Sequence, residues 1–228
     1  MKPKNLVPRF FDGTAKSYDS VAKFATFGRD DFWKDQIIQQ IPDAENILEL
    51  ACGTGILTGL IAKRLPHCKI IGVDITQNYL EVARKKLGSH QNISFVCQDA
   101  ETLELGQKFD CIVSSYIPKY CNAQVLVPNC IKHLKSNGKI ILHDFTFPQN
   151  RTIQLFWDLH FTMLRMVGNI IPEWKEAFSE LPKLIQHSTW VHDYKSELEK
   201  NGFVVTIQYH TWNCCAILIG TRPKNNIL

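Results

Sequence analysis

The chain of 228 residues is 45% hydrophobic and 21% charged, with a formal net charge of +4. The composition is that of a globular protein, and the length suits one larger domain or a core domain with an insertion. The longest basic run, Arg84-Lys85-Lys86, lies in a helical pattern, which argues against the concentrated basic surface of nucleic-acid-binding proteins.

The eight cysteines predict free thiols in a reducing compartment rather than a disulfide framework, because no CxxC pair occurs. No ligand pair has zinc-like spacing, so we expect no metal site. The amino terminus lacks the apolar core of a signal peptide, and residues 155–171 are too polar to span a bilayer. We therefore expect a cytoplasmic protein without an integral membrane segment.

Strand and helix patterns alternate along most of the chain. A first segment, residues 1–45, contains an amphipathic helix around residues 31–41. Strand patterns follow at residues 47–50, 69–74, 93–98, 109–115 and 139–144. Helix patterns lie between them, and a turn at Ser136-Asn137-Gly138 is predicted before the fifth strand. The alternation predicts right-handed crossovers and a parallel sheet with helices on both faces.

The end of the chain departs from this alternation. Residues 191–201 have a helical pattern, and the strand patterns 203–209 and 214–221 are separated by only four residues. Since four residues cannot hold a crossover helix, these strands should form an antiparallel hairpin. We predict an α/β fold with a Rossmann-like, mainly parallel seven-stranded sheet and an antiparallel C-terminal hairpin.

Two segments lie outside the alternation and are candidates to cover the carboxyl edge of the sheet, where open α/β folds bind ligands. They are residues 1–45 and residues 147–190, and the second is rich in aromatic residues and methionine. Core packing of an extra helix pair accounts for the second segment equally well, and both interpretations can hold together.

A sharp glycine-containing bend follows the first strand, in the sequence ELACGTG. Gly53 and Gly55 allow the backbone to pass close to a ligand at the amino end of a helix. Dinucleotide-binding folds use the same device, but Thr58 replaces their third glycine. Glu49, just before the bend, would oppose a pyrophosphate and suit an ammonium group.

Two further acids end neighbouring strands. Asp74 ends the second strand, where a carboxylate accepts hydrogen bonds from both ribose hydroxyls. Asp99 follows the third strand, in position to accept from an adenine amino group. A ligand with an amine, a ribose and an adenine but no pyrophosphate fits these three acids, and we predict S-adenosyl-L-methionine as the cofactor. Each acid alone is more often a helix cap or a solvated loop residue.

With these motifs the sequence resembles the class I S-adenosylmethionine-dependent methyltransferases, and more narrowly the ubiquinone/menaquinone biosynthesis C-methyltransferases. The resemblance covers nearly the whole chain. FDGTAKSYD and TFGRDDFWK match the family's amino-terminal pattern, ELACGTG and GVDIT its cofactor motifs, and LKSNGKIILHDFTFP its turn, fifth strand and acid-phenylalanine ending. The closing hairpin also agrees with the family's antiparallel last strand.

The resemblance implies which residues hold the cofactor. They would be Glu49, Gly53, Gly55, Asp74 and Asp99, with Ala100 beside the adenine and Tyr18 over the methionine end. We add their neighbours Ala51, Thr54, Ile75 and Ser115 to the predicted cofactor site.

The chain departs from the family after the fourth strand. The family usually has a Gly-Leu-Arg-Asn stretch facing the substrate, whereas this chain has Tyr116-Ile117-Pro118-Lys119. The arginine that would help to deprotonate a quinol is absent, and Lys119 is not aligned with it. His143, at the end of the fifth strand, is predicted as the base because histidine titrates near neutral pH; packing beneath the cover is its alternative role. Tyr116 and Tyr18 are predicted to orient the acceptor.

We therefore predict a methyltransferase acting on carbon or oxygen of a small, largely apolar acceptor that is aromatic, quinol-like or polyketide-like. Three alternatives stay open: an amine acceptor, a nicotinamide-dependent oxidoreductase, and a non-catalytic cofactor-binding interaction protein. We expect no nucleic-acid partner and allow for a homodimer. A single domain is predicted over residues 1–228, with cap helices (1–45), a cofactor-binding core (46–146), a substrate cover (147–190), and a final helix and hairpin (191–228).

Overall fold

The computed structural model of the protein describes residues 3–223, so the predicted outer boundaries at residues 1 and 228 lie outside the described residues. The strands are β1 (Asn46–Leu50), β2 (Lys69–Asp74), β3 (Ile93–Cys97), β4 (Phe109–Ser115), β5 (Leu134–Phe145), β6 (Val204–His210) and β7 (Cys215–Thr221). The helices are α1 (Leu6–Phe11), α2 (Tyr18–Ala25), α3 (Arg29–Gln40), α4 (Ile56–Arg64), α5 (Gln77–Leu87), α6 (Ala123–His133), α7 (Arg151–Gly168), α8 (Lys175–His187) and α9 (Trp190–Lys200).

The strands form one sheet in the order β3-β2-β1-β4-β5-β7-β6. The first five strands pair in parallel, and β7 pairs antiparallel with both β5 and β6. This confirms the predicted fold class. The strand order reverses between β1 and β4, and such a reversal opens a crevice at the carboxyl ends of the strands.

The sheet is buried on both faces because its central strands are apolar on both sides. Leu48 and Leu50 of β1 pack with residues of α6 and α9 on one face. Ile47 of the same strand packs with residues of α3 and α4 on the other face. The period-two alternation of β1 therefore supplies both cores, and the carboxyl ends of the strands are held rigidly between them.

The start of β5 differs from the prediction. Instead of a turn at Ser136-Asn137-Gly138, the strand already begins at Leu134, which pairs with Phe109 before the register shifts to Cys111 and Lys139. Leu134 is fully buried, so its burial outweighs the local turn preference of the three residues that follow.

The amino-terminal segment and the insertion pack together over the carboxyl edge of the sheet. Phe10 and Val21 share a buried cluster with Phe161, Trp174 and Phe178. Hydrogen bonds also join the two segments, from Trp174 Nε1 to Ser17 Oγ (3.0 Å) and between His160 Nε2 and the Ala25 carbonyl oxygen (2.8 Å). We call these two segments the cap. No helix among residues 3–223 has both the length and the apolar character needed to cross a membrane.

Candidate active site

A cavity of about 180 Å³ lies between the cap and the carboxyl edge of the sheet. Many of the predicted site residues line it: Tyr18, Ala51, Gly53, Asp74, Ile75, Asp99, Ala100, Ser115 and Tyr116. Other predicted residues are not among the lining side chains of the described chain: Glu49, Thr54, Gly55 and His143. The cap contributes mainly aromatic and aliphatic side chains, so the cavity is apolar on that side.

The bend between β1 and α4 depends on left-handed backbone conformations. Gly53 and Gly55 have φ values of 56° and 80°, which glycine adopts without steric cost. A Cβ atom at Gly55 would lie 2.9 Å from Leu87 Cδ1 and 3.2 Å from Ala83 Cβ. The bend therefore packs closely against α5 and brings the Gly53 backbone to the cavity wall.

Asp74, at the end of β2, fixes this bend. Its two carboxylate oxygens accept hydrogen bonds from the backbone N–H groups of Gly53 (2.9 Å) and Thr76 (2.8 Å). Burial raises the pKa of Asp74, and the bonds from Thr76 and Gly53 oppose that shift. Each carboxylate oxygen keeps a further lone pair for a ligand, so Asp74 can still accept from two hydroxyl groups.

Lys4 was not predicted, although it lines the cavity beside Asp99. Its ammonium group donates to the carboxylates of Asp99 and Glu101. Burial lowers the pKa of Lys4, but the bonds to these two acids outweigh burial and raise it. The contact joins residues 95 apart in sequence, and no local pattern could have indicated it. Lys4 thus closes the end of the cavity at which we predicted the adenine.

Glu49 and Thr54 lie behind the cavity wall. Glu49 is buried and accepts a hydrogen bond from Thr58 Oγ1 at 2.5 Å. Thr54 Oγ1 donates to Asp19 Oδ1 at 2.5 Å, which ties the bend to α2 of the cap. In this arrangement both residues support the bend, and direct contact of Glu49 with an ammonium group stays a prediction.

Glu49 makes stability depend on pH. Burial raises its pKa from 4.5 to about 8, against opposing contributions from Thr58 and Lys34. The folded state therefore keeps a proton that the unfolded state loses, and this contribution to stability is lost as the pH rises from 4.5 to about 8. We expect the unfolding free energy of the wild type to fall relative to that of Glu49→Gln by about 1.4 kcal/mol per pH unit in this window.

Urea denaturation of the wild type and Glu49→Gln across that pH window measures the difference in unfolding free energy. The histidines are the same in both proteins, so their contributions cancel in this difference. Parallel pH dependence of the two proteins would contradict the raised pKa of Glu49.

His143 does not face the cavity. Its Nδ1 lies 3.0 Å from Ser115 Oγ, and its buried Nε2 has no hydrogen-bond partner within residues 3–223. Burial, followed by the charges of Lys34 and Lys119, lowers the pKa of His143 well below its usual range. The imidazole is therefore neutral, and within residues 3–223 its ring nitrogens are linked to the cavity lining only by the Ser115 hydroxyl.

Tyr116 follows β4 in a left-handed conformation with φ 75°. Its hydroxyl donates to Asp30 Oδ1 at 2.6 Å, and Asp30 forms a buried ion pair with Lys34. Its ring stacks on Phe145 with the ring centroids 4.9 Å apart. A left-handed non-glycine residue is unusual, and here these contacts hold it at the cavity wall.

A second buried ion pair borders the cavity. Lys119 Nζ lies 2.7 Å from Asp144 Oδ1, and both side chains are almost completely buried. Lys119 lines the cavity, whereas Asp144 is not among the lining residues in the described part of the chain. Burial lowers the pKa of Lys119, and the charge of Asp144 and the hydrogen bond to it oppose this shift.

The residues at this edge fit a nucleoside that carries no pyrophosphate. Gly53 lets the backbone approach the ligand, Asp74 keeps lone pairs for ribose hydroxyls, and Asp99 can accept from a ring amino group. Asp74 accepts from the Gly53 N–H, and its carboxylate next to the bend is unfavourable for a phosphate group.

Comparison with known proteins agrees with this geometry. The model of the ubiE/COQ5 methyltransferase family matches residues 1–222. The chain is 24% identical over 225 residues to the demethylmenaquinone methyltransferase of Thermotoga maritima, covering 96% of this chain and 97% of that one. It is 25% identical over 237 residues to the enzyme of the same name from Staphylococcus aureus, covering 98% and 95%.

Solved structures share the fold. A Methanococcus maripaludis protein assigned to the S-adenosyl-L-methionine-dependent methyltransferases superposes with a TM-score of 0.68 at 19% identity, covering 96% of each chain. The N-methyltransferase NodS of Bradyrhizobium japonicum, solved with S-adenosyl-L-homocysteine, gives 0.54 at 15% identity and covers 87% of this chain and 88% of its own.

The family match over nearly the whole chain removes the nicotinamide-dependent oxidoreductase from consideration. The fold, the glycine bend and the acids at the strand ends all agree with the family match. The chain therefore belongs to the ubiE/COQ5 methyltransferase family, and it is an S-adenosyl-L-methionine-dependent methyltransferase.

Proposed function

We propose that the methyl acceptor is a small phenolic or quinol-like aromatic molecule, methylated on carbon or oxygen. The observation that carries this proposal is the group of aromatic side chains that line the cavity. Four of these rings, Phe11, Tyr18, Tyr79 and Trp174, contact one another with ring centroids 5.2 to 6.5 Å apart. Such edge-to-face and tilted rings favour a flat aromatic ligand.

The names of the curated relatives support the same class of acceptor, because a demethylmenaquinone is a quinone. They are about one-quarter identical to this chain, so the identity of its own acceptor is a proposal. A cytoplasmic location and a homodimer stay predictions.

The charges around Tyr116, where we place the methyl acceptor, favour a phenol over an amine. Asp30 accepts from the Tyr116 hydroxyl, and Asp144 pairs with the lysine that donates to the Tyr116 carbonyl oxygen, so each carboxylate is already paired with a lysine. The hydroxyls of Tyr18 and Tyr120 have no hydrogen-bond partner within the described chain, and both residues line the cavity. Hydrogen-bond donors without a free carboxylate suit an acceptor with oxygen atoms.

The proposed roles follow from these positions. When bound, S-adenosyl-L-methionine supplies an activated methyl group, and its sulfur keeps the electron pair of the broken S–CH₃ bond. Tyr18 and Tyr116 hold the acceptor against the cofactor end, and the cap excludes water. His143 can take a proton only through Ser115 Oγ, and its lowered pKa makes it a weak base. Its role as the base therefore stays a prediction.

A transfer assay tests the acceptor. We expect methyl-labelled S-adenosyl-L-methionine to label a naphthoquinol that lacks its ring methyl group, and simple phenols more slowly, but not primary amines. Labelling of amines alone would overturn the proposed acceptor. Tight cofactor binding without transfer to any phenol, quinol or amine would mean that the acceptor belongs to another chemical class.

A further inference from the structure

We propose that Lys119, with the hydroxyls of Tyr18 and Tyr120, forms a subsite that binds the acceptor oxygen in its ionised form, as a phenolate or enolate. This inference rests on the proposed function, since it concerns the acceptor of the same reaction. It assigns a distinct role to a loop in which the sequence differs from the usual family pattern.

Lys119 is a basic residue among the aromatic rings of Tyr116, Tyr120 and Phe145. Its Nζ donates to Asp144 Oδ1 (2.7 Å) and to the Tyr116 carbonyl oxygen (3.0 Å). It also lies 4.4 Å from the ring centroid of Tyr120 and 5.5 Å from that of Phe145. An ammonium group has three donors, and two of them are bound to protein oxygens. The third has no oxygen or nitrogen partner within residues 3–223, and the ammonium group lies over the Tyr120 ring.

Of the buried Lys119–Asp144 pair, Lys119 lines the cavity, and Asp144 is not among the lining residues within 3–223. Asp144 accepts backbone N–H bonds from Lys119 (3.0 Å) and Phe145 (2.7 Å) in addition to the ammonium group. These bonds hold the carboxylate behind the wall. A ligand in the cavity therefore lies nearer to Lys119 than to Asp144.

Two phenol groups complete the subsite. Tyr18 belongs to α2 and Tyr120 to the loop after β4, and both hydroxyls remain without a partner in residues 3–223 while their rings line the cavity. Burial raises the pKa of both side chains, so each keeps its proton and can donate it in a hydrogen bond. Lys119 and the two tyrosines thus offer three donors.

On α3 and β5 the groups packed near Tyr116 add no net negative charge, whereas Asp74, at the cofactor end of the cavity, acts on Tyr18 through its charge. On α3, Asp30 is paired with Lys34 and bound by the Tyr116 hydroxyl. On β5, His143 is neutral because burial lowers its pKa. An ionised oxygen in a low-dielectric cavity needs a cation or several donors to be stable, and this wall has both.

If the acceptor binds as an anion, the site needs no side chain that acts as a base. The hydroxyl proton leaves to solvent as the ligand binds, and the electron pair that it leaves makes the oxygen and the adjacent ring carbon more nucleophilic. No buried side chain then has to take that proton, which agrees with a lining that includes no histidine among residues 3–223. Suitable acceptors carry an acidic hydroxyl beside the carbon that is methylated.

The absorption spectrum of 4-nitrophenol tests the subsite, because its phenolate absorbs apart from the neutral phenol. The probe is titrated with pH on wild-type protein loaded with S-adenosyl-L-homocysteine. We expect the bound probe to ionise at a pH lower by about one unit than in buffer, which means about tenfold more phenolate at a given pH below its pKa. The Lys119→Met/Asp144→Asn variant removes both buried charges together and should lose this shift.

Lys34→Met/Asp30→Asn is the matched control, since it neutralises the other buried ion pair, which lies behind Tyr116 rather than on the cavity wall. We expect it to keep the shift, and Tyr120→Phe to reduce it. Wild-type protein that binds S-adenosyl-L-homocysteine but leaves the probe neutral or unbound would overturn the subsite while the methyltransferase function stands. An equal shift in the Lys119→Met/Asp144→Asn variant would overturn it as well.

Discussion

Replacing Asp74 with asparagine will weaken the binding of S-adenosyl-L-homocysteine by about 100-fold or more. Each hydrogen bond from a ribose hydroxyl to the carboxylate is worth about 1.5–3 kcal/mol, and the variant loses the charge that strengthens two of them. Asparagine also has only one acceptor oxygen for the N–H groups of Gly53 and Thr76, which both bind the carboxylate in the wild type. The bend should therefore loosen in addition. Isothermal titration calorimetry measures the affinity directly.

Asp110→Asn is the control for this variant. Asp110 also accepts backbone N–H bonds, from Asn46 (2.9 Å) and Glu45 (3.2 Å), but at the amino edge of the sheet. We expect its affinity for S-adenosyl-L-homocysteine to equal that of the wild type. If Asp74→Asn also bound the ligand as the wild type does, the ribose could not lie on Asp74.

Replacing Gly55 with alanine will lower the unfolding free energy by about 2–5 kcal/mol. A left-handed conformation costs a non-glycine residue about 1–2 kcal/mol, and Gly55 has φ 80°. The new Cβ would meet Leu87 Cδ1 at 2.9 Å and Ala83 Cβ at 3.2 Å, and overpacking of this kind costs about 1–3 kcal/mol. Urea denaturation of the variant and the wild type gives the difference.

Alanine substitutions at two other glycines serve as controls that distinguish the cost of the left-handed backbone from the cost of the steric clash. Gly202 has φ 81° but open space around its Cβ position. The unfolding free energy of Gly202→Ala should therefore fall only by the cost of the left-handed backbone. Gly106 has open space and no left-handed φ, so Gly106→Ala should change stability by no more than about 0.5 kcal/mol. Equal losses at Gly55 and Gly202 would show that α5 yields to the added methyl group.

Sequence patterns predict the central sheet well because its strands are buried on both faces. The segments 69–74 and 109–115 form strands with the predicted bounds, since continuous apolar runs between helices leave little freedom in register. The same reasoning fails at residues 136–138. There a local turn signal competes with the burial of Leu134, and only the pairing with Phe109 decides the outcome.

Site residues at the ends of neighbouring strands could be predicted from the sequence. Contacts between segments that are distant in the sequence could not. Asp74 and Gly53 follow from their own strands, and both line the cavity. The bonds of Lys4 to Asp99 and of Tyr116 to Asp30 join residues 95 and 86 positions apart, which no periodicity encodes. His143 lies close to the right edge, but its side chain packs beside Trp33 and Tyr116 rather than on the cavity wall.

A crystal soaked with both S-adenosyl-L-homocysteine and NAD is the most direct test of the central claim, that the bend after β1 binds a nucleoside without a pyrophosphate. We expect density for S-adenosyl-L-homocysteine, with its ribose on Asp74 and its adenine near Asp99, where Lys4 now donates. Density for NAD with its pyrophosphate against Gly53 and Gly55, and none for S-adenosyl-L-homocysteine, would contradict the claim.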